Sequence, residues 1–415
     1  DKLSFYARGG YYDNKTRRPY EAYDYNILHE TFNYGIGAQY MINKGNYITA
    51  DCYADHFSSS YCFFKDNKTY NGKAGEEQVR KRTRNHNLSI KGIFKLGNRH
   101  KLSVGTEYIV DVLKSQTDNI AKEDAYTLAL FAQDEIKLLR NLQALIGVRY
   151  IYHENFKNHA TPNVALMYKP GKFNFRASYA AGFRTPTLSE LYATDIAKKN
   201  DRLTIGNLDL KPEKNNYFSL SAEYVHERFS VSVNAFYNNI RDMIDYNTIA
   251  TGDKAMEQYG HKEVRQRDNI AEAKVHGINV SANAYLGAGF NLSGGYTHLN
   301  TQDVELEQPI DKSIKNAYNI NAQWAHSWKI YRLNINLNGR FNSKRFSKSY
   351  GYAPEYQLWD LNTRHSFNLK SVIIEPGCGM ENLCDYMDDR PYNSNYATLT
   401  PGRSFYISLS LKFKS

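Results

Sequence analysis

The feature that most constrains this chain is an alternation of apolar and polar residues with a period of two. From Tyr331 to Phe341, the side chains of Tyr331, Leu333, Ile335, Leu337 and Phe341 fall on one face of an extended strand. Those of Arg332, Asn334, Asn336, Asn338 and Arg340 fall on the other. The same pattern runs through residues 173–179, 229–235, 278–284 and 405–413. Asn is normally depleted in strands, so its steady use on one face only reads as a face in contact with water. An aromatic content of 14%, including 35 Tyr, excludes a disordered chain. The longest apolar runs, such as Tyr126 to Ala132, fall far short of the roughly 20 residues a spanning helix needs. Composition does not shift between the halves and there is no Pro/Ser-rich linker, so residues 1–415 read as one continuous architecture.

Soluble sandwiches also alternate, so the connections carry the next step. Short turns are expected near residues 43–46, 97–99, 138–141, 169–172, 225–228, 287–289, 327–330 and 369–371. Long connections are expected at 12–31, 58–85, 112–125, 151–160, 181–215, 239–272, 300–315, 342–356 and 382–402. Short and long alternate along the whole chain, and the segments number about 18, an even count. Strand ends carry aromatic residues, among them Tyr108, Tyr150, Tyr168, Tyr179, Tyr224, Tyr237, Tyr296 and Tyr331. Such rings suit the headgroup boundary of a bilayer. The fold class predicted is all-β: a transmembrane, antiparallel, up-and-down β-barrel in an outer membrane.

Other classes find little footing. The net charge is +10, but the basic residues are scattered and the densest run, Arg80 to Arg84, is short, so it reads as an exposed strand or loop face and no nucleic-acid partner is expected. No phosphate loop, zinc helix or nucleophile elbow is present, helical periodicity is absent, and no enzyme, resident cofactor or metal is predicted. Cys52 with Cys62 and Cys378 with Cys384 have the spacing of small loop disulfides or of free thiols.

Two segments carry a family resemblance. Phe183-Arg-Thr-Pro-Thr-Leu-Ser-Glu-Leu-Tyr192 resembles the "FRAP" box, and Gly206-Asn-Leu-Asp-Leu-Lys-Pro-Glu213 the "NPNL" or "NPDL" box, of TonB-dependent outer-membrane receptors. The motif positions are Phe183, Arg184, Thr185 and Pro186, then Asn207, Leu208, Asp209 and Leu210; Thr185 stands where Ala is usual and Leu208 where Pro is usual. The flanking strands 217–224 and 235–245 and the stretch from Glu381 to Ser404 are similar as well. The pairing is typical of the haem-uptake branch and is shared loosely with cobalamin and siderophore receptors.

The resemblance implies an active importer of a scarce nutrient, first of all haem or another iron chelate, with outer-membrane lipid, a small-molecule ligand and the TonB energy-transducing complex as partners, and a surface lipoprotein as a further possible one. TonB would act through a plug domain not recognisable here. The family barrel has 22 strands, so about four strands and the plug are expected upstream. A passive, substrate-specific porin of 18 strands is the rival reading. The loop between the boxes, Ala193 to Ile205, has no His. Candidate ligand contacts are therefore Tyr192, His153, His159, His261 and Arg184, together with the loop aromatics Tyr350, Tyr352 and Tyr356.

Overall fold

A computed structural model describes residues 2–17, 25–68, 70–197, 201–269, 272–347, 351–388 and 400–413. Eighteen long strands belong to one antiparallel sheet. In chain order they are β1 Leu3–Thr16, β2 Tyr25–Asn43, β3 Asn46–Phe63, β4 Glu77–Leu96, β5 His100–Ser115, β6 Ile120–Leu139, β7 Leu142–His153, β8 Lys157–Tyr168 and β9 Phe173–Arg184. They continue as β10 Glu213–Val225, β11 Phe229–Arg241, β12 Ala273–Gly287, β13 Phe290–Asp303, β14 Asn316–Trp328, β15 Tyr331–Asn342, β16 Tyr356–Asn368, β17 Val372–Glu381 and β18 Ser404–Phe413.

The chain divides into two compact units. The first comprises Asp1–Ala165, Ala180–Asn215 and Ile240–Ala271. Within it β1 to β7 pair successively, each antiparallel to the next. It also holds a four-stranded mixed sheet of Thr194–Ala197, Arg202–Ile205, Glu263–Asn269 and Ile244–Thr251. There the 202–205 strand runs parallel to 263–269, so two separate long connections share one sheet. The second unit comprises Leu166–Tyr179, Asn216–Asn239 and Glu272–Ser415. Within it β12 to β18 pair successively in the same antiparallel manner.

The alternation resolves into an inverted burial pattern. On β11 the apolar Phe229, Val231 and Val233 are exposed, while Ser230, Ser232 and Asn234 between them are half-buried. β8 behaves alike, with Val164, Leu166 and Tyr168 exposed. On β18 Ile407 is 89% exposed and Phe413 81%. In water this arrangement would leave large apolar area unburied, at about 25 cal/mol per Å²; lipid removes that cost. The opposite face satisfies itself with polar contacts, as where Asn321 Nδ2 donates to Asn336 Oδ1 at 2.6 Å and Ser232 and Ser281 hydroxyls pair at 2.7 Å.

All eight short turns stand where the sequence placed them. Most of the long connections are shorter than expected, because strands continue through polar stretches. β2, β4 and β6 span 19, 20 and 20 residues, about twice the 9–11 a bilayer crossing requires. The run Arg80 to Arg84 lies inside β4. The connection expected at 112–125 shrinks to 116–119, and the one expected at 151–160 to 154–156. Once a ladder has formed, each added pair costs little beyond fixing two residues, so polarity alone does not end a strand. The expected absence of helix also needs correcting: Leu188–Tyr192 and Gly252–Tyr259 are short helices within long connections. Cys52 and Cys62 lie on one strand, β3, roughly 33 Å apart at 3.3 Å per residue, which rules out a bond between them; Cys378 and Cys384 are free thiols as well.

Candidate functional site

The two boxes meet on one guanidinium. Arg184, the last residue of β9, donates from Nε to Glu213 Oε2 at 2.8 Å and from Nη2 to Glu213 Oε1 at 2.5 Å. It also donates from Nη1 to Glu190 Oε2 at 3.0 Å and from Nη2 to Glu190 Oε1 at 3.3 Å. Such fork-shaped pairing needs the planar five-donor geometry of arginine. Glu190 is placed by the helix it helps to start. Thr187 caps that helix, its hydroxyl accepting from the Glu190 amide at 3.2 Å, while Glu190 Oε2 accepts from the Thr187 amide at 2.8 Å. Glu213 Oε1 also accepts from the Ile244 amide at 2.8 Å, which ties in the next long connection.

The second box is folded beneath this knot. Gly206 and Asn207 amides donate to the Ala193 and Glu190 carbonyls at 2.7 and 3.0 Å. Asn207 Oδ1 accepts from the Asp209 amide at 2.9 Å, an Asx turn. Leu210 is buried with Leu191 and Ile244, and Phe156 and Tyr192 pack against them. Pro186 is buried at the point where the chain leaves the wall, and Leu208 is exposed. A Cβ at Gly206 would stand 2.5 Å from the Leu191 carbonyl oxygen, so this box position needs glycine for close approach. Burial alone would raise the pKa of Glu190, but hydrogen bonds from Arg184 and Thr187 outweigh it and hold the carboxyl below its ordinary range.

Beside the knot lies a cavity of about 510 Å³. Its polar lining includes Lys81, Arg84, Asn85, Asp111 and His153, and one wall is Thr185 to Ser189 together with Leu191. Lys81 Nζ is 3.4 Å from Asp118 Oδ2 and 3.3 Å from Ser189 Oγ, and Asn85 donates to Asp111 at 2.8 Å. Arg84 makes no ion pair among the described residues. The first unit carries a second cluster: Tyr25 stacks on Tyr61 at 4.1 Å, and Tyr70 meets both edge-on at 5.5 and 5.1 Å. The Arg80 guanidinium lies 5.3 Å over Tyr61 and 5.0 Å over Tyr70, and its Nη1 donates to Gln116 at 3.0 Å. No local motif announces this cluster, because its members come from three distant stretches of chain.

Two of the three histidines singled out from the sequence are strand residues and not loop residues. His153 ends β7, is buried, and its Nδ1 accepts from the Asn155 amide at 3.1 Å. His159 lies within β8, stacks on Phe183 at 4.0 Å, and its Nε2 is 2.9 Å from the Phe156 carbonyl. His261 does lie between secondary-structure elements, with Nδ1 2.8 Å from Asp201 Oδ1. The structure therefore brings His153, His159, Phe183, Arg184 and Tyr192 close to the boxes but gives each a structural partner. Tyr352 and Tyr356 belong to the second unit: Tyr352 is exposed against Phe346 at 5.3 Å, and Tyr356 stacks on Tyr386 at 5.6 Å. Tyr350 lies outside the described residues.

A family model described as "TonB dependent receptor-like, beta-barrel" matches residues 1–377. A mutant of the ferric enterobactin receptor PfeA from Pseudomonas aeruginosa superposes with a TM-score of 0.77 at 17% identity, covering 94% of this chain and 62% of that one. The siderophore receptor PirA from Acinetobacter baumannii gives 0.72 at 16% identity, with 94% and 63% covered. BauA, the ferric preacinetobactin receptor from the same organism, gives 0.64 at 15%, again with 94% and 63%. The chain thus spans less than two thirds of the length of these three structures, and at such identity the likeness speaks for the fold. Together with the inverted burial of its strands and the eight tight turns, the match shows that the chain belongs to the TonB-dependent receptor family, as an outer-membrane β-barrel and not an enzyme.

Proposed function

We infer that this receptor imports a ferric siderophore, an anionic iron chelate that brings its own metal ligands, by a TonB-driven cycle acting through a plug domain. The observation that carries the reading is the cavity beside the boxes, where Arg84, without an ion pair among the described residues, stands with Lys81 and Asn85. His153, His159 and His261 each hold a ring nitrogen against a partner in the protein. The Tyr192 phenol is pushed up in pKa by burial and by the nearby Glu123 and Glu154, so phenolate is costly to form there. A haem iron can still take the other ring nitrogen of His159 or His261, whereas a chelate with a filled coordination sphere asks no ligand of the protein. Beside the Asp111 carboxylate the cavity offers Arg84, hydrogen-bond donors and Lys81, which it shares with Asp118, a net cationic lining suited to an anionic ligand. The Arg80 and tyrosine cluster adds flat aromatic surface with a cation on it.

The test is nutritional. A receptor deletion strain carrying the gene on a plasmid is starved of iron and supplied in turn with ferric catecholate siderophore, ferric hydroxamate siderophore, haem and, separately, cobalamin as sole source. Receptor-dependent growth on a siderophore and none on haem is expected. Growth on haem alone, abolished by His159→Ala, would restore the haem reading; dependence on cobalamin alone would defeat both iron readings.

A further inference from the structure

The short-turn end of each unit is basic in a way the rest of the chain is not. Over the whole sequence 53 basic residues face 43 acidic ones. Within two residues of the short connections, the first unit carries Lys44, Lys95, Arg99, Lys101 and Arg140 with no acidic residue. The second unit carries Lys169, Lys172, Arg228, Lys329, Arg332 and Lys370 against Glu227 alone. Apart from Lys101, whose Nζ sits 2.9 Å from Glu135, every one of these cations is exposed, and none of them has an ion-pair partner among the described residues. At the other end of the first unit's ladder ion pairs do occur, Lys81 with Asp118, Arg184 with Glu190 and Glu213, and Arg265 with Glu263, although Arg80 and Arg84 there have none among the described residues.

These turns are fixed in relation to their neighbours. In the second unit the Val225 amide donates to the Lys172 carbonyl at 2.9 Å, Tyr285 to Arg228 at 2.7 Å, Ala325 to Gly289 at 3.0 Å and Asn368 to Ile330 at 2.7 Å. A band of rings runs directly alongside: Trp324 to Trp328 at 6.1 Å, Trp328 to Tyr331 at 5.6 Å and Tyr331 to Phe367 at 5.1 Å. Nearby, Phe173 meets Tyr224 at 4.9 Å and Tyr224 meets Phe229 at 5.7 Å. Trp328, Phe367, Phe173 and Phe229 are the exposed members of this band, and exposed aromatic rings settle at the headgroup level of a bilayer. Lys and Arg one or two residues further out then stand at the depth of lipid phosphates, their stems lying along the acyl boundary.

We propose that the short-turn end of each unit is, by itself, a binding surface for anionic phospholipid headgroups in the periplasmic leaflet. Short turns face the periplasm in barrels of this class, and the negative charge that the protein does not supply there comes from the lipid. One cation near an anionic surface is worth about fivefold in affinity, so the effect of several is measurable. The surface selects lipid by charge and takes no part in ligand uptake.

The purified full-length receptor is reconstituted into nanodiscs of equimolar phosphatidylethanolamine and phosphatidylglycerol, released into detergent, and the co-purifying lipid is quantified. Wild type should retain phosphatidylglycerol in severalfold excess, and the excess should fall with added salt. The variant Lys169→Gln/Lys172→Gln/Lys329→Gln/Lys370→Gln should lose most of that excess, bringing the two lipids close to parity, while keeping its heat-modifiable migration on gels. A matched variant in the long connections, Lys254→Gln/Lys262→Gln/Lys312→Gln/Lys315→Gln, should keep it. Equal retention of the two lipids by wild type, or equal loss in both variants, overturns the proposal; if the turn variant does not fold, Lys329→Gln/Lys370→Gln alone must still lower the excess severalfold.

Discussion

Replacing Arg184 by alanine should unfasten the boxed loop without opening the wall. Arg184 makes four charge-assisted hydrogen bonds to two carboxylates whose side chains are 13% and 17% exposed, while its own is 41% exposed. Stranding a fully buried ionic partner costs about 3–5 kcal/mol. Water reaches this guanidinium, so we discount to about 2 kcal/mol, which is roughly a thirtyfold rise in the population of the opened loop. Two amides report on it: Asn207 N, which donates to Glu190 O, and Ile244 N, which donates to Glu213 Oε1. Hydrogen exchange of peptides covering them should speed by about thirtyfold in Arg184→Ala, and by less in Arg184→Lys, which keeps the charge but not the fork. Exchange within β5 and β6 should not change. In a double-mutant cycle with Glu213→Gln, the two substitutions should be coupled by more than 0.5 kcal/mol. An unchanged Ile244 peptide, or strict additivity, would refute the reasoning.

Gly206→Ala should destabilise the same loop by about 1–3 kcal/mol, since its Cβ would press on the Leu191 backbone; faster proteolysis between Tyr192 and Lys214 is the readout. Leu220, 66% exposed on β10, should tolerate arginine poorly, at a cost of about 2–4 kcal/mol near the bilayer midplane. Ser219→Arg, on the face where Ser219 pairs with Ser178, should cost less in a urea titration of vesicle-inserted protein, and equal costs would argue against lipid contact. The depressed pKa of Glu190 sets a pH window. Its folded value lies below the unfolded one, so the stabilisation is complete above about pH 4.3 and is lost as pH falls through the folded value. Exchange at Asn207, corrected for intrinsic rates, should be flat from about pH 5 to 8 and rise below about pH 4.

What the sequence disclosed follows from what each signal physically encodes. Alternation records which face meets lipid, so residues 229–235 and 405–413 were legible as strands. Tight turns are written locally, in stretches such as Lys169-Pro-Gly-Lys172, and all eight were placed. Strand ends beyond the bilayer were not legible, because β4 through Arg80 to Arg84 is held by pairing with β3 and β5 and not by its own pattern. The boxes were legible as text but not as a device: Arg184 finds Glu213 only after the intervening connection has folded back. Nor could periodicity show that His159 would stack on Phe183, or that two long connections would share a sheet through Leu203 and Val264.

The central claim is energised import of an iron chelate, and the most direct measurement is accumulation of radioiron from a ferric siderophore by whole cells. Wild-type cells should take it up saturably, and deletion of the receptor should abolish uptake. Loss of TonB or collapse of the proton gradient should do the same while leaving surface binding intact. Accumulation that rises linearly with concentration and persists without TonB would mean a passive pore and would contradict the account.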